Sequence, residues 1–102
     1  MIFEIARIMI YPERTPAFEA AVAQAEPHFR NHPDCKGFAL QKVIEEAGVY
    51  HLVVGWTSVE AHMVDFRRTK EFQEWRALAS SFFSEAPSVT HTETVIGEIY
   101  IK

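Results

Sequence analysis

The sequence predicts an α+β fold in which the chain runs β-α-β-β-α-β, the ferredoxin-like split βαβ arrangement with a four-stranded antiparallel sheet. Three observations predict it. Period-2 and period-3.6 hydrophobic patterns alternate along the chain in that order. The first and third strand segments are apolar on both faces, as strands covered on both sides are. Right-handed crossovers put those same two strands side by side in the centre, with the second and fourth at the edges. Local pattern and topology therefore agree.

The elements follow in order. Ile2 to Tyr11 is isoleucine-rich, with Phe3, Ile5, Met9 and Tyr11 on one face and Ile2, Ala6, Ile8 and Ile10 on the other. Pro12 stops it. Thr15 followed by Pro16 reads as an N-cap with proline at the first helical position. Phe18, Val22, Ala25 and Phe29 then form one apolar stripe. Pro27 is expected to kink or end this helix near Ala25. After a turn at Asn31–Asp34, Gly37 to Glu46 alternates Phe38, Leu40 and Ile44 against wetter positions. Ala47-Gly48 reverses the chain, and Val49 to Thr57 returns as the second strand of a hairpin. Gly55 inside that strand signals a bulge or a close backbone approach.

Ser58 caps a short helix whose stripe reads Val59, His62, Met63 and Phe66, and the pattern breaks at Arg67-Arg68. Thr69 restarts a helix with Phe72, Trp75, Ala79 and Phe82 on its inner face. Pro87 ends the helical region. Ser88 to Lys102 reads as a long final strand interrupted at Gly97.

At 102 residues, with no linker and no repeat, residues 1–102 are expected to form a single domain. The net charge of −4 gives no global attraction to nucleic acid or to an anionic membrane. No apolar run approaches the ~20 residues of a membrane span. Met1–Ile10 is apolar but carries Glu4 and Arg7 and no small-residue cleavage site, so no signal peptide is expected. Cys35 is the one cysteine, which excludes an intrachain disulfide and points to a reducing, cytoplasmic setting.

Both helices of a βαββαβ chain lie on one face of the sheet. The central strands are nevertheless apolar on the other face too, and an uncovered patch of that size is rare in monomers. The expectation is a homodimer with sheets packed face to face, the long final strand reaching across to the partner.

The candidate chemistry centres on His62. An imidazole on a buried helical stripe can accept a phenolic or enolic proton, and the alternative is a core histidine satisfied by one backbone carbonyl. His91 on the final strand is placed to meet His62 across a pocket. His51 on the third strand adds another imidazole, but no pair shows metal-ligand spacing and no carboxylate partner is evident, so no metal is assigned. Trp56, Phe66, Trp75 and Phe82 form either the walls of an aromatic-binding cavity or simply the core. Arg67 either closes the pocket mouth over an acidic substrate or is solvated. Arg7 on a central strand needs a partner, with Glu4 and Glu93 available. His28 and His32 read as a surface pair, and Cys35 has no positioned base.

The segment His51–Leu78, with Trp56, Ser58, Glu60-Ala61, Phe66, Phe72 and Trp75, resembles the antibiotic biosynthesis monooxygenase (ABM) domain of the dimeric α+β barrel superfamily. His32–Phe38 is similar to that family's Pro-Gly-Cys-x-Gly-Phe hairpin entry, with Asp34 in place of the first glycine. The resemblance implies a homodimer with a pocket between helices and sheet in each subunit. Some members oxidise phenols, quinols or anthrones with dioxygen and no metal or prosthetic group. A haem-degrading subgroup uses an Asn, a Trp and a His, whose positions fall here on Ala6, Phe66 and Arg76, which argues against that activity. The expected function is a cofactor-independent monooxygenase acting on a small aromatic substrate. His62 and His91 would serve the proton and Trp56, Phe66, Trp75, Phe82 and Arg67 the substrate. The alternative is a non-catalytic dimeric module that binds a small ligand or serves a stress response.

Overall fold

A computed structural model describes residues 1–99. Its strands are β1 (Ile2–Met9), β2 (Cys35–Lys42), β3 (Val49–Trp56) and β4 (Ser88–Thr92), and its two regular helices are α1 (Thr15–Arg30) and α2 (Lys70–Ala79). The sheet order is β2-β3-β1-β4, antiparallel throughout, so β1 and β3 are central as their double-faced hydrophobicity requires. The ferredoxin-like α+β architecture is as expected.

Pleating splits β1 into two sets. Glu4, Ala6, Ile8 and Ile10 are buried beneath the helices, with Tyr50, Leu52, Val54 and Trp56 of β3 beside them. Phe3, Ile5, Met9 and Val53 point to the other face, which no element of the described chain covers, and are only partly buried. On the covered side α1 lays down Phe18, Val22, Ala25 and Phe29, all buried. Phe29 meets Phe66 at 4.9 Å and Trp75 at 5.3 Å between ring centroids, which ties α1 to the second crossover.

Several local expectations are corrected. Thr15 is the first residue of α1 rather than its cap, and its hydroxyl donates to the Pro12 carbonyl. Pro27 neither ends nor shortens α1, which continues to Arg30. Packing of Phe29 outweighs the one backbone hydrogen bond that proline removes. β2 stops at Lys42, and Ile44 sits exposed in the hairpin loop. Gly48 turns that hairpin at φ +77, and a Cβ there would lie 2.7 Å from the Ile10 carbonyl oxygen. The irregularity expected at Gly55 is a register shift between Cys35 and Gly37 on the strand facing it. Arg7 bonds Glu46 at 3.0 Å on the uncovered face, not Glu4 or Glu93.

The final strand ends at Thr92. Residues 93–99 are outside any strand, with Val95, Ile96 and Ile99 almost fully exposed, and the expected continuation through Tyr100–Lys102 lies outside the described residues. The segment after α2 instead pairs briefly with the end of β1, through an Ile10–Phe83 bridge and a Ser84 amide bonded to the Met9 carbonyl at 2.8 Å. This brings Phe83 and Pro87 against one end of the space between α2 and the sheet.

Candidate active site

The link between β3 and α2 positions the central histidine. Ser58 caps it by accepting the Ala61 amide at 3.0 Å. Ala61–Asp65 then forms a single π turn, closed by the Phe66 amide on the Ala61 carbonyl, and Phe66–Arg68 tightens to a 3-10 turn. The wide turn sets Ala61, His62 and Phe66 inward and leaves Val59 exposed, so Val59 drops out of the expected stripe. Single π turns of this kind often mark functional positions. Thr69 then caps α2 by accepting the Phe72 amide at 3.1 Å.

His62 is 3% exposed and Glu4 5%, the one buried imidazole and the one buried carboxyl among the described residues. His62 Nε2 lies 3.2 Å from Glu4 Oε1, and Trp56 Nε1–H donates to the same oxygen at 3.0 Å. His62 Nδ1 faces His91 Nε2 at 2.8 Å. The rings of Trp56 and His62 are stacked, 5.4 Å apart and 16° from parallel. The set closes consistently when His91 Nε2–H donates to His62 Nδ1 and His62 Nε2–H donates to Glu4. Both bonds to Glu4 land on Oε1, which leaves Oε2 for a ligand.

The electrostatics follow from burial. Desolvation pushes the Glu4 carboxyl up to about 7, against the Trp56 hydrogen bond and the Arg67 charge, which pull it down. Desolvation also pushes the His62 imidazole down to about 4, helped by the nearby His91 and Arg67. At neutral pH His62 is therefore an uncharged donor to a carboxyl close to half-ionised, a state in which Glu4 can accept or return a proton.

Both residues line a cavity of about 740 Å³ between α2 and the covered face of the sheet. Ala6, Ile8 and Leu52 form its floor, Phe72, Trp75 and Ala79 its α2 wall, and Arg67 and Arg76 add charge. That volume suits a ligand of two or three fused rings.

The expected site residues are thus distributed unevenly. His62, Arg67 and Trp75 lie on the cavity wall, and His91 touches His62 from behind. Trp56 and Phe66 are core residues that back the site without lining the cavity, and Phe82 packs on Phe18 at 5.7 Å with the Arg14 guanidinium over its ring. Phe83, not Phe82, reaches the cavity. His51 is paired across from Arg7 on the uncovered face, turned away from His62. His28 bonds Glu74 at 3.0 Å, and His32 sits edge-on to Trp56 and Phe66. Of the positions aligned with the haem-degrading triad, Ala6 and Arg76 line the cavity and Phe66 backs it.

Glu4 is the residue that sequence reasoning missed, having been offered to Arg7. Its signal was present, because Glu4 falls in phase with Ala6, Ile8 and Ile10, and a carboxylate at a buried period-2 position needs a partner.

The comparisons with known proteins agree with this architecture. The antibiotic biosynthesis monooxygenase family profile matches residues 1–78. YczJ of Bacillus subtilis (strain 168), an uncharacterised protein, is 35% identical over 95 residues, covering 93% of this chain and 100% of YczJ. A crystallised Bordetella bronchiseptica protein, provisionally named an antibiotic biosynthesis monooxygenase, is 48% identical, with a TM-score of 0.89 over 93% of this chain and 97% of that one. A provisionally named counterpart from Caulobacter crescentus CB15 shares the fold at 22% identity, with a TM-score of 0.82 over 93% and 90% of the two chains. The chain belongs to the antibiotic biosynthesis monooxygenase family.

Proposed function

We propose that this chain is a cofactor-independent monooxygenase that oxidises a small quinol-, phenol- or anthrone-like substrate with dioxygen. The observation that carries the reading is a buried Glu4–His62 pair on the wall of a largely apolar cavity sized for such a molecule. Glu4 takes the acidic O–H proton of the bound substrate through its free oxygen, His62 Nε2–H holds the other carboxylate oxygen, and His91 fixes the His62 tautomer that does so. The electron-rich substrate carbon then forms a C–O bond to dioxygen, and Glu4 returns the proton to the distal peroxide oxygen. As the O–O bond breaks, the electron pair of the adjacent C–H bond forms the new C=O, and water leaves. Dioxygen takes four electrons, all from the substrate, so the balance closes without an outside reductant. The apolar side chains of Ile8, Leu52 and Trp75 on the cavity wall offer the carbanionic species no proton donor.

The test is oxygen uptake across a panel of naphthoquinols and anthrones, with ¹⁸O₂ followed into the product. Uptake with one ¹⁸O atom retained is the expected result. Absence of uptake on every substrate, with ligand binding preserved, would turn the assignment to a non-catalytic binding module.

The same reading makes the molecule a homodimer. Phe3, Ile5, Met9 and Val53 form an apolar surface on the uncovered side of the sheet, and Val95, Ile96 and Ile99 follow β4 in an exposed segment. A second copy supplies the matching surface by two-fold symmetry. Sedimentation equilibrium returning a monomer at micromolar concentration would contradict it.

A further inference from the structure

The charge on the cavity wall is opposite to that of the chain. The whole sequence carries a net charge of −4, yet the ionisable groups lining the cavity are Arg67, Arg76, Glu4 and His62. His62 is uncharged at neutral pH and Glu4 only partly ionised, so two fixed guanidinium charges dominate. Their placement is consistent. The guanidinium carbons of Arg67 and Arg76 each lie 5.9 Å from the centroid of the same ring, Phe72, which itself lines the cavity. Among the described residues the ion pairs engage Arg7, Arg30, Lys42, Lys70, His28 and His62, and neither of these two arginines. The acidic residues of α2 are turned elsewhere, Glu74 to His28 and Lys70, and Glu71 to a small cleft beside His32.

We infer that the cavity selects aromatic substrates bearing a carboxylate, which Arg67 and Arg76 hold beside the Phe72 ring while the oxidisable ring reaches Glu4 and His62. This deepens the monooxygenase reading and rests on it for the reaction. A planar guanidinium matches a carboxylate with two parallel hydrogen bonds, which fixes orientation as well as affinity. Arg67 supplies a second effect, since its charge reaches both Glu4 and His62. A bound carboxylate offsets that charge, so binding raises the proton affinity of Glu4, which must accept the substrate proton.

The test uses 1-hydroxy-2-naphthoate and its neutral amide, 1-hydroxy-2-naphthamide, with binding read by calorimetry rather than by turnover. The wild-type chain should bind the anion about tenfold or more tightly than the amide, the scale of one charge-assisted contact. Arg67→Gln and Arg76→Gln should each remove about fivefold or more of the anion's affinity and leave the amide within about twofold, which also shows that the variants are folded. Equal binding of the two probes, equal loss of both in the variants, or binding of neither at millimolar concentration would overturn the inference. Preference for the anion without oxygen uptake would retain it and remove the monooxygenase reading. Uptake on neutral quinols with no preference for the anion would do the reverse.

Discussion

The Oε1 atom of Glu4 lies 3.2 Å from Nε2 of His62, and both side chains are removed from bulk solvent while lining one cavity. Burial drives the two groups toward neutrality in opposite senses, the carboxyl upward and the imidazole downward. That opposition makes the pair visible in stability as well as in activity.

Glu4, ordinarily at 4.5, sits at about 7 in the folded chain. Between those values the folded form binds more protons than the unfolded one, so this group lowers stability as pH rises. His62 moves from 6.5 to about 4, so between those values the unfolded form binds more protons and stability rises with pH. The two slopes oppose each other from about 4.5 to 6.5. Chemical denaturation across pH should therefore tilt in opposite directions for two variants. Glu4→Gln leaves stability rising through pH 4–6.5, and His62→Gln leaves it falling toward pH 7. Parallel curves for both would show that burial does not set these values.

Removing the indole donor should strengthen the first effect. In Trp56→Phe the Glu4 carboxylate loses the hydrogen bond that pulls its pKa down. The variant should lose about 1–3 kcal/mol, the scale of a buried polar group left short of a partner. Glu4 should also titrate at still higher pH, which carbon-detected NMR of the carboxyl groups would read.

Val59 and Phe66 share one helical stripe in sequence but not in the structure. Phe66→Ala should cost about 3–5 kcal/mol as a fully buried aromatic, and Val59→Ser about 0.5 kcal/mol or less as an exposed substitution. Urea midpoints with unchanged slopes would check both. Similar losses at the two positions would mean the π turn does not reorient the segment.

A charge on the uncovered sheet face tests the assembly. Val53→Lys places an ammonium in the surface shared by Ile5 and Phe3. It should shift the chain from dimer to monomer in sedimentation while the helical signal is kept. A stable dimer in this variant would move the interface elsewhere.

Much of this was legible from residue order. The central placement of β1 and β3 follows from their two apolar faces, and the α1 stripe of Phe18, Val22, Ala25 and Phe29 from its spacing. His62, His91, Arg67 and Trp75 were placed near one another because period and topology constrain facing positions. What escaped depended on relations that period alone does not carry. The π turn at Ala61–Asp65 shifts the inward set by a fraction of a turn, and no propensity announces it. Pro27 was overruled by tertiary packing. For Trp56, Phe66 and Phe82 the choice between cavity wall and core stayed open, because an aromatic on an inner stripe looks the same whether it faces a cavity or a neighbour's ring. Glu4 was overlooked because its partners are remote in sequence, with Trp56 52 residues away.

The most direct measurement is the pH dependence of kcat/KM for oxygen consumption on a naphthoquinol, with wild type, Glu4→Gln and His62→Gln compared. Wild type should rise with an ionisation near pH 7, at the value Glu4 holds in the folded chain. Each variant should lose about 10²-fold or more, with that ionisation absent from Glu4→Gln. Wild-type rates and an unchanged profile in Glu4→Gln would contradict it.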